Sequence, residues 1–508
     1  MREVRVLPIL ALGLLLCGIG CHSTPRDPNT VNVVIESSPT SLDPRVGVDA
    51  QSEHLDMLIF DALVRKDAHF NLQPDLAQSW EQPDPLTYIF HLRSGVIFHN
   101  GQPLTSRDVA WTLNTMRDGT LITAKASAFA SVASVATPDA MTVVLHLKHP
   151  DTALLWNLSD GALGVVPAGS GKDFQQQPIG TGPFRFVRQE IDKEVVLARN
   201  DAYWNGAPNI HQLRFEVVPD AMTRALELRK GSADIAINAF VEDMTWSLRQ
   251  QPQLVVVSVP GTRVQYLTLN LRDPHLRDLR VRQAVACAIN RPLMIHALLR
   301  DQAQPASSLL PSTHWAYKAN DANIVYDPNR ARQLLDAAGY APDKDGIRFH
   351  LSMKTSTDEV AHLLSLVLQQ QLRQVGIALD VQSYEFATFF SDISRGAFGM
   401  YSLRWIGGNE DPDIYRYAFA TSSEPPHGAN RGYYSNAQLD ALIAQATQEP
   451  SQAARIAVYI QVQDILARDL PVIPLWYVDS VVIYNRRLTG ITPSPSGTFD
   501  FLRQAKVQ

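Results

Sequence analysis

Apolar positions recur along this chain with two different periods. Val281, Ala284, Val285, Ala288 and Ile289 fall at helical spacing behind Asp278, which is suited to cap them. Thr105–Asp108 has the pattern of a capping box and opens a helix through Val109–Met116. Asp220 caps a predicted helix over 221–230, with Gly231 as its stop. Asp327 and Pro328 open another helix, which Gly339 closes. Further helical patterns cover 359–375, 436–448 and 452–468. Between them lie short β-branched runs, among them Val143–Leu147, Leu254–Val259 and Val264–Leu271, which are predicted as strands. Helices alternating with strands define an α/β class. Turn-rich residues interrupt the alternation at 176–183 and again at Pro260-Gly261, where a chain turn is expected. Both are candidate crossings between lobes.

The first residues have a different pattern. Val6–Gly20 is apolar or small throughout and follows Arg2 and Arg5. A run of that length is short for a spanning helix, which needs about 20 residues, and has the form of a signal-peptide core over residues 1–20. Gly20-Cys21 resembles a lipobox, with Gly18 where Leu is usual three residues before the cysteine. That resemblance implies acylation of Cys21, a polar tether over 23–30, and an extracytoplasmic, periplasmic protein held at a membrane by its lipid.

Composition narrows the class further. The 508 residues set a prior of about three domains. With 45% hydrophobic and 19% charged residues the chain is globular. Its mean hydropathy of −0.10 argues against a polytopic membrane protein. A net charge of −6 lacks the basic footprint of a nucleic-acid binder. Three cysteines build neither a disulfide framework nor a zinc site, and Cys287 is placed as a core thiol. Gly169–Asp173 fails as a phosphate loop because Val166 and Asp173 stand where Gly and Ser or Thr are required. The acidic group Glu410, Asp411 and Asp413 straddles Pro412 and fits a capping or ligand-contact turn better than an acid/base pair. No catalytic residue, metal site or cofactor is expected, so the chain is not expected to be an enzyme.

Several separated blocks then share one resemblance. They are Leu76–Glu81, Thr87–Arg93, Gly95–Gly101 with Leu104–Val109, Gly180–Phe184, Arg199–Trp204, Leu228–Asp234, Leu269-Asn270, Arg280–Ala284, Ala288–Arg291, Tyr326–Pro328, Ala337–Tyr340, Leu372–Ile377 and Pro471–Leu475. In this order they resemble extracytoplasmic solute-binding proteins (family 5) that serve peptide, nickel and opine ABC importers. Most of these blocks suit scaffolding. Gly180 and Gly182 are expected to supply free φ at a turn, and Arg280–Gln283 to start a core helix with its charges outward.

The resemblance implies a periplasmic binding protein type II-like, two-lobed fold with an additional inserted domain. Lobe I would combine 28–64, 177–264 and 479–508, the inserted domain would be 65–176, and lobe II would be 265–478. A monomer would bury a peptide or peptide-like ligand between the lobes by hinge closure. It would deliver that ligand to an ABC permease and its ATPase subunits. A nickel-chelate or other non-peptide solute is the alternative within the same mechanical class; a secreted hydrolase lies outside it.

The resemblance also implies a site around Trp405. In dipeptide-binding relatives an acid after this Trp meets the ligand ammonium; here the position holds Gly408. The relatives' basic anchor and Tyr correspond to Thr355 and Thr357, beside Lys354. Trp405 is expected as an apolar wall, Asn409 as a partner for a peptide backbone, and Asp411 as a contact or helix cap. Arg404 and Lys354 are candidates for a ligand carboxylate, with Tyr401 and Tyr433 as aromatic lining.

Overall fold

A computed structural model describes residues 29–159, 163–320, 324–405, 410–449 and 451–508. The expected signal segment 1–20, Cys21, Gly408 and Asn409 lie outside the described residues.

One sheet of eleven strands runs through most of the molecule. Its strands lie in the order Ile377–Tyr384, Phe349–Ser356, Met400–Trp405, Leu254–Leu269, Val472–Asn485, Ile235–Ile237, Thr30–Ile35, Gln212–Val217, Glu194–Arg199 and Phe184–Glu190. Ala303–Pro305 pairs alongside Val472–Asn485. A separate antiparallel sheet of four strands comprises Ala77–Asp84, Thr87–Leu92, Thr142–Leu147 and Val132–Asp139.

The apolar side chains that bind these layers form distinct cores. The first includes Val31, Leu55, Phe60, Phe184, Phe215, Val482 and Phe499, so three distant stretches of chain build one half. Leu76, Phe90, Val109, Leu145 and Leu163 fill the core of the four-stranded sheet. The other half packs Leu267, Val281, Cys287, Leu351, Leu368 and Leu475 on one side of its strands. Ile414, Tyr415, Leu439, Val462 and Tyr477 pack in a further cluster.

Local signals set most helix ends. Asp220 accepts from Thr223 N, and Gly231 closes Ala221–Lys230 at φ 81°, a conformation that favours glycine. Thr105 and Asp108 make the reciprocal capping box of Ser106–Arg117. Asp327 accepts from two backbone N–H groups at the start of Pro328–Ala337.

Three expectations need correction. Pro260-Gly261 is not a chain turn. The backbone continues as one strand, Leu254–Leu269, whose pairing with Val472–Asn485 shifts between Val259 and Arg263. The irregularity behaves as a β-bulge between two ladders, and a Cβ on Gly261 would overlap the carbonyl oxygen of Val478. These two long strands are the crossing between the halves.

Gly180 and Gly182 serve close approach rather than free φ. Neither is among the positive-φ glycines, and a Cβ on either would collide with the Ile59 carbonyl group. Next to them, Asp61 accepts from Thr181 Oγ1 at 2.8 Å, Tyr203 OH at 2.9 Å and Trp204 Nε1 at 3.1 Å. Two of the resembling blocks therefore meet at one buried carboxylate.

Arg282 points inward, not outward. It is buried and donates to the carbonyls of Asp469, Leu276 and Arg277, which satisfy its planar fork without a carboxylate.

Candidate functional site

Phe349–Ser356 runs parallel to both Ile377–Tyr384 and Met400–Trp405. Open α/β sheets bind ligands outside the carboxyl ends of such strands. Here those ends carry Lys354, Tyr384, Arg404 and Trp405. Trp405 lies opposite Val264 on the strand that crosses between the halves, and Arg404 lies opposite Gln265. The carboxyl edge of the second half thus abuts the crossing.

Trp405 is half-buried. Its ring lies 6.1 Å from Tyr266 and makes an edge contact with Tyr417 at 6.2 Å. With Tyr266, Leu309 and Phe419 it borders a cavity of about 20 Å³, room for about one water. A larger depression of about 620 Å³, beside His99 and Phe184–Glu190, shares no residue with the crossing.

Arg404 is half-buried, and its Nε is buried without a hydrogen-bond partner. Arg263 sits at the bulge and donates to Asp479 O at 3.2 Å, with Asn238 Oδ1 at 3.5 Å. Burial and the like charge of Arg404 both depress the Arg263 pKa, and Glu242 opposes them. The sequence reading missed Arg263. Its signal was a charged residue heading the apolar run Val264–Leu271 directly after the bulge.

The other candidates are engaged elsewhere. Lys354 pairs with Asp392 and lies 5.1 Å from the Tyr384 ring centre. Asp392 also pairs with Arg395, and these cations hold its carboxyl below the usual range. Lys354 is therefore already ion-paired, although Asp392 shares its one negative charge with Arg395. Asp411 accepts from Asp413 N at 2.7 Å and from Arg455 at 3.0 and 3.2 Å. Burial raises the Asp411 pKa while Arg455 opposes the rise. Asp411 is not itself the helix cap: it accepts from the N–H of Asp413, and Asp413 is the N-cap of the helix Ile414–Phe419.

Tyr401 is a correction. It is 1% exposed and packs edge-on against Phe398 at 4.8 Å and Phe389 at 6.2 Å, so it is core rather than lining. Tyr433 is a second correction. It stacks under Arg272 at 3.3 Å and rests against Gly396, next to Leu271, whose N–H donates to Gly432 O. That is the far end of the strand from Trp405. Five residue steps at about 3.3 Å put roughly 17 Å between the two ends.

The hairpin of Val64–Lys66 and Leu72–Pro74, whose Val64 shares the core of the four-stranded sheet, also reaches this region. Lys66 Nζ lies 2.5 Å from Glu410, five residues after Trp405 in the sequence. His314 contacts Glu410 O at 3.0 Å and stacks on Phe70 at 5.5 Å. Burial pushes the His314 pKa down to about 4, so the ring is neutral and donates from Nε2 to that carbonyl. Trp156 and Trp315 lie 5.8 Å apart beneath the Arg455 guanidinium.

Among the described residues there is no group of three or more potential metal-ligating side chains, and no helix long and apolar enough to cross a membrane.

Two halves joined by paired strands, with a carboxyl-edge site at the crossing, define a protein built to enclose a solute. Residues 71–426 match the model of bacterial extracellular solute-binding proteins, family 5, and the chain belongs to that family. It is 27% identical over 523 residues to di/tripeptide-binding protein 2 of Pseudomonas aeruginosa, covering 96% of this chain and 97% of that one. HbpA2 from Haemophilus parasuis superposes with a TM-score of 0.85 at 25% identity, covering 94% of this chain and 100% of that one. NikZ from Campylobacter jejuni, solved in complex with Ni(L-His), gives a TM-score of 0.74 at 25% identity, covering 95% of this chain and 100% of that one.

Proposed function

We propose that this chain captures peptides or peptide-like solutes between two lobes and delivers them to an ABC permease driven by separate ATPase subunits. The observation that carries the reading is the placement of Trp405, partly accessible at the carboxyl edge beside the crossing strands. An indole there presents a flat apolar wall that tolerates varied side chains. The relationship to a di/tripeptide-binding protein along nearly the whole chain supports the peptide class.

In this reading lobe I comprises 28–64, 177–264 and 479–508, the inserted domain 65–176, and lobe II 265–478. The protein works as a monomer without catalysis, tethered to a membrane through acylated Cys21. Asn409 joins Trp405 in holding the ligand.

Thermal melting with a pool of di- and tripeptides tests the reading against a pool of nickel chelates. A ligand at 100 times its dissociation constant adds about 2.7 kcal/mol. Stabilisation by the peptide pool supports the proposal. Stabilisation by the chelates alone replaces it.

A further inference from the structure

The crossing carries two cations, Arg263 and Arg404, that form no ion pair among the described residues, although Glu242 acts on Arg263 from further away. Arg263 and Arg404 project from the same face of neighbouring strands, because Gln265 opposite Arg404 is two residues from Arg263. Such diagonal neighbours lie about 7–8 Å apart. The hydrogen bonds of Arg263 go to a backbone carbonyl and an amide oxygen, not to a carboxylate. Arg404 has no ion-pair partner among the described residues, and its buried Nε has no acceptor. The nearby Asp479 carboxyl forms no ion pair with either arginine, and its Oδ1 is buried without a hydrogen-bond partner.

Burying charge without an opposite charge is costly. Elsewhere in this chain buried cations are either ion-paired or, like Arg282 and Arg224, surrounded by backbone carbonyls. Arg487 meets Asp234, Arg455 meets Asp411, and Lys354 meets Asp392. Arg263, with one carbonyl and one amide acceptor, and Arg404, with a buried unpartnered Nε, have neither arrangement, and they fall beside Trp405, where the two halves join.

We infer that Arg263 and Arg404 form a receptor for a carboxylate of the solute, oriented toward the crossing strands. This rests on the proposed peptide-type site. Two guanidinium forks on adjacent strands suit a carboxylate, which accepts bidentate bonds from each side. The ligand is then held by its acid end. No acidic side chain is needed for its amine, in keeping with Gly408.

Two probes separate the charges: N-acetyl-trialanine, an anion without an ammonium, and trialanine amide, a cation without a carboxylate. Calorimetric titration of the full chain should show the acid binding at least tenfold tighter than the amide. Arg404→Gln should abolish that preference while melting no lower than the wild type without ligand, because it removes an unneutralised cation. Arg404→Lys should retain part of the preference. Equal binding of both probes overturns the carboxylate receptor but leaves the peptide reading standing. If neither probe binds, the peptide reading fails, and succinate decides the receptor. Protection of the wild type but not of Arg404→Gln sustains it, and no protection overturns it.

Discussion

Asp411 and Arg455 form an ion pair at 3.0 Å with 13% and 3% of their side chains exposed. Arg455 also lies over Trp156, Trp315 and Tyr459, so it joins the four-stranded part to the second half. Replacing one partner leaves the other charge buried and alone. Asp411→Asn should therefore cost about 3–5 kcal/mol in urea unfolding. Asp411→Asn with Arg455→Met should recover much of that loss. If the single variant is as stable as the wild type, the pair is not structural.

Trp405→Ala should affect both stability and binding. The ring sits between two apolar clusters while keeping an accessible part. A half-buried indole should cost about 1–2 kcal/mol of unliganded stability, below the value for a fully buried one. Affinity for a stabilising peptide should fall by tenfold or more, and Trp405→Phe should retain most of both. Denaturation and titration on the same preparations check this.

Asp75 makes stability depend on pH. Burial and the neighbouring charge of Asp61 push its pKa up to about 8, against Arg503 and Arg65. An acid whose folded pKa exceeds its unfolded value, about 3.9, keeps its proton longer in the folded state. Stability then falls as pH rises from about 4 through 8. Asp75→Asn keeps an acceptor for Ala62 N–H. It should flatten the decline in melting temperature between pH 5 and pH 8. An unchanged slope would contradict the assignment.

Lys66, on the strand Val64–Lys66 that pairs with Leu72–Pro74, and Glu410 form an ion pair, each side chain 21% exposed. The pair should add only about 0–1 kcal/mol to global stability. Its effect should show in lobe closure. Lys66→Ala should raise the radius of gyration of the unliganded protein in X-ray scattering, with the melting temperature nearly unchanged. An identical scattering profile would remove the pair from the closing surface.

Local chemistry made most helices legible, because Asp220 with Gly231 and Thr105 with Asp108 act within a few residues. Non-local chemistry was harder to read. Gly180, Gly182 and Gly261 are small because another part of the chain passes close by, and sequence spacing carries no such information. The same limit applied to the site. Trp405 and Arg404 were legible through a family resemblance, and the structure sets them at the carboxyl edge. Tyr401 and Tyr433 were candidates as aromatic residues, but inward packing and strand direction remove them. Lys354 and Asp411 found partners at Asp392 and Arg455, 38 and 44 residues away. Arg263 emerged only when its strand was paired with Met400–Trp405.

The central claim is that a peptide-like solute is enclosed where Trp405 and Arg404 meet the crossing strands. Native mass spectrometry of gently purified protein tests it most directly. The wild type should carry a small peptide-like mass that Trp405→Ala and Arg404→Gln lose. Retention of a metal chelate instead, or of the same peptide mass by both variants, would contradict it.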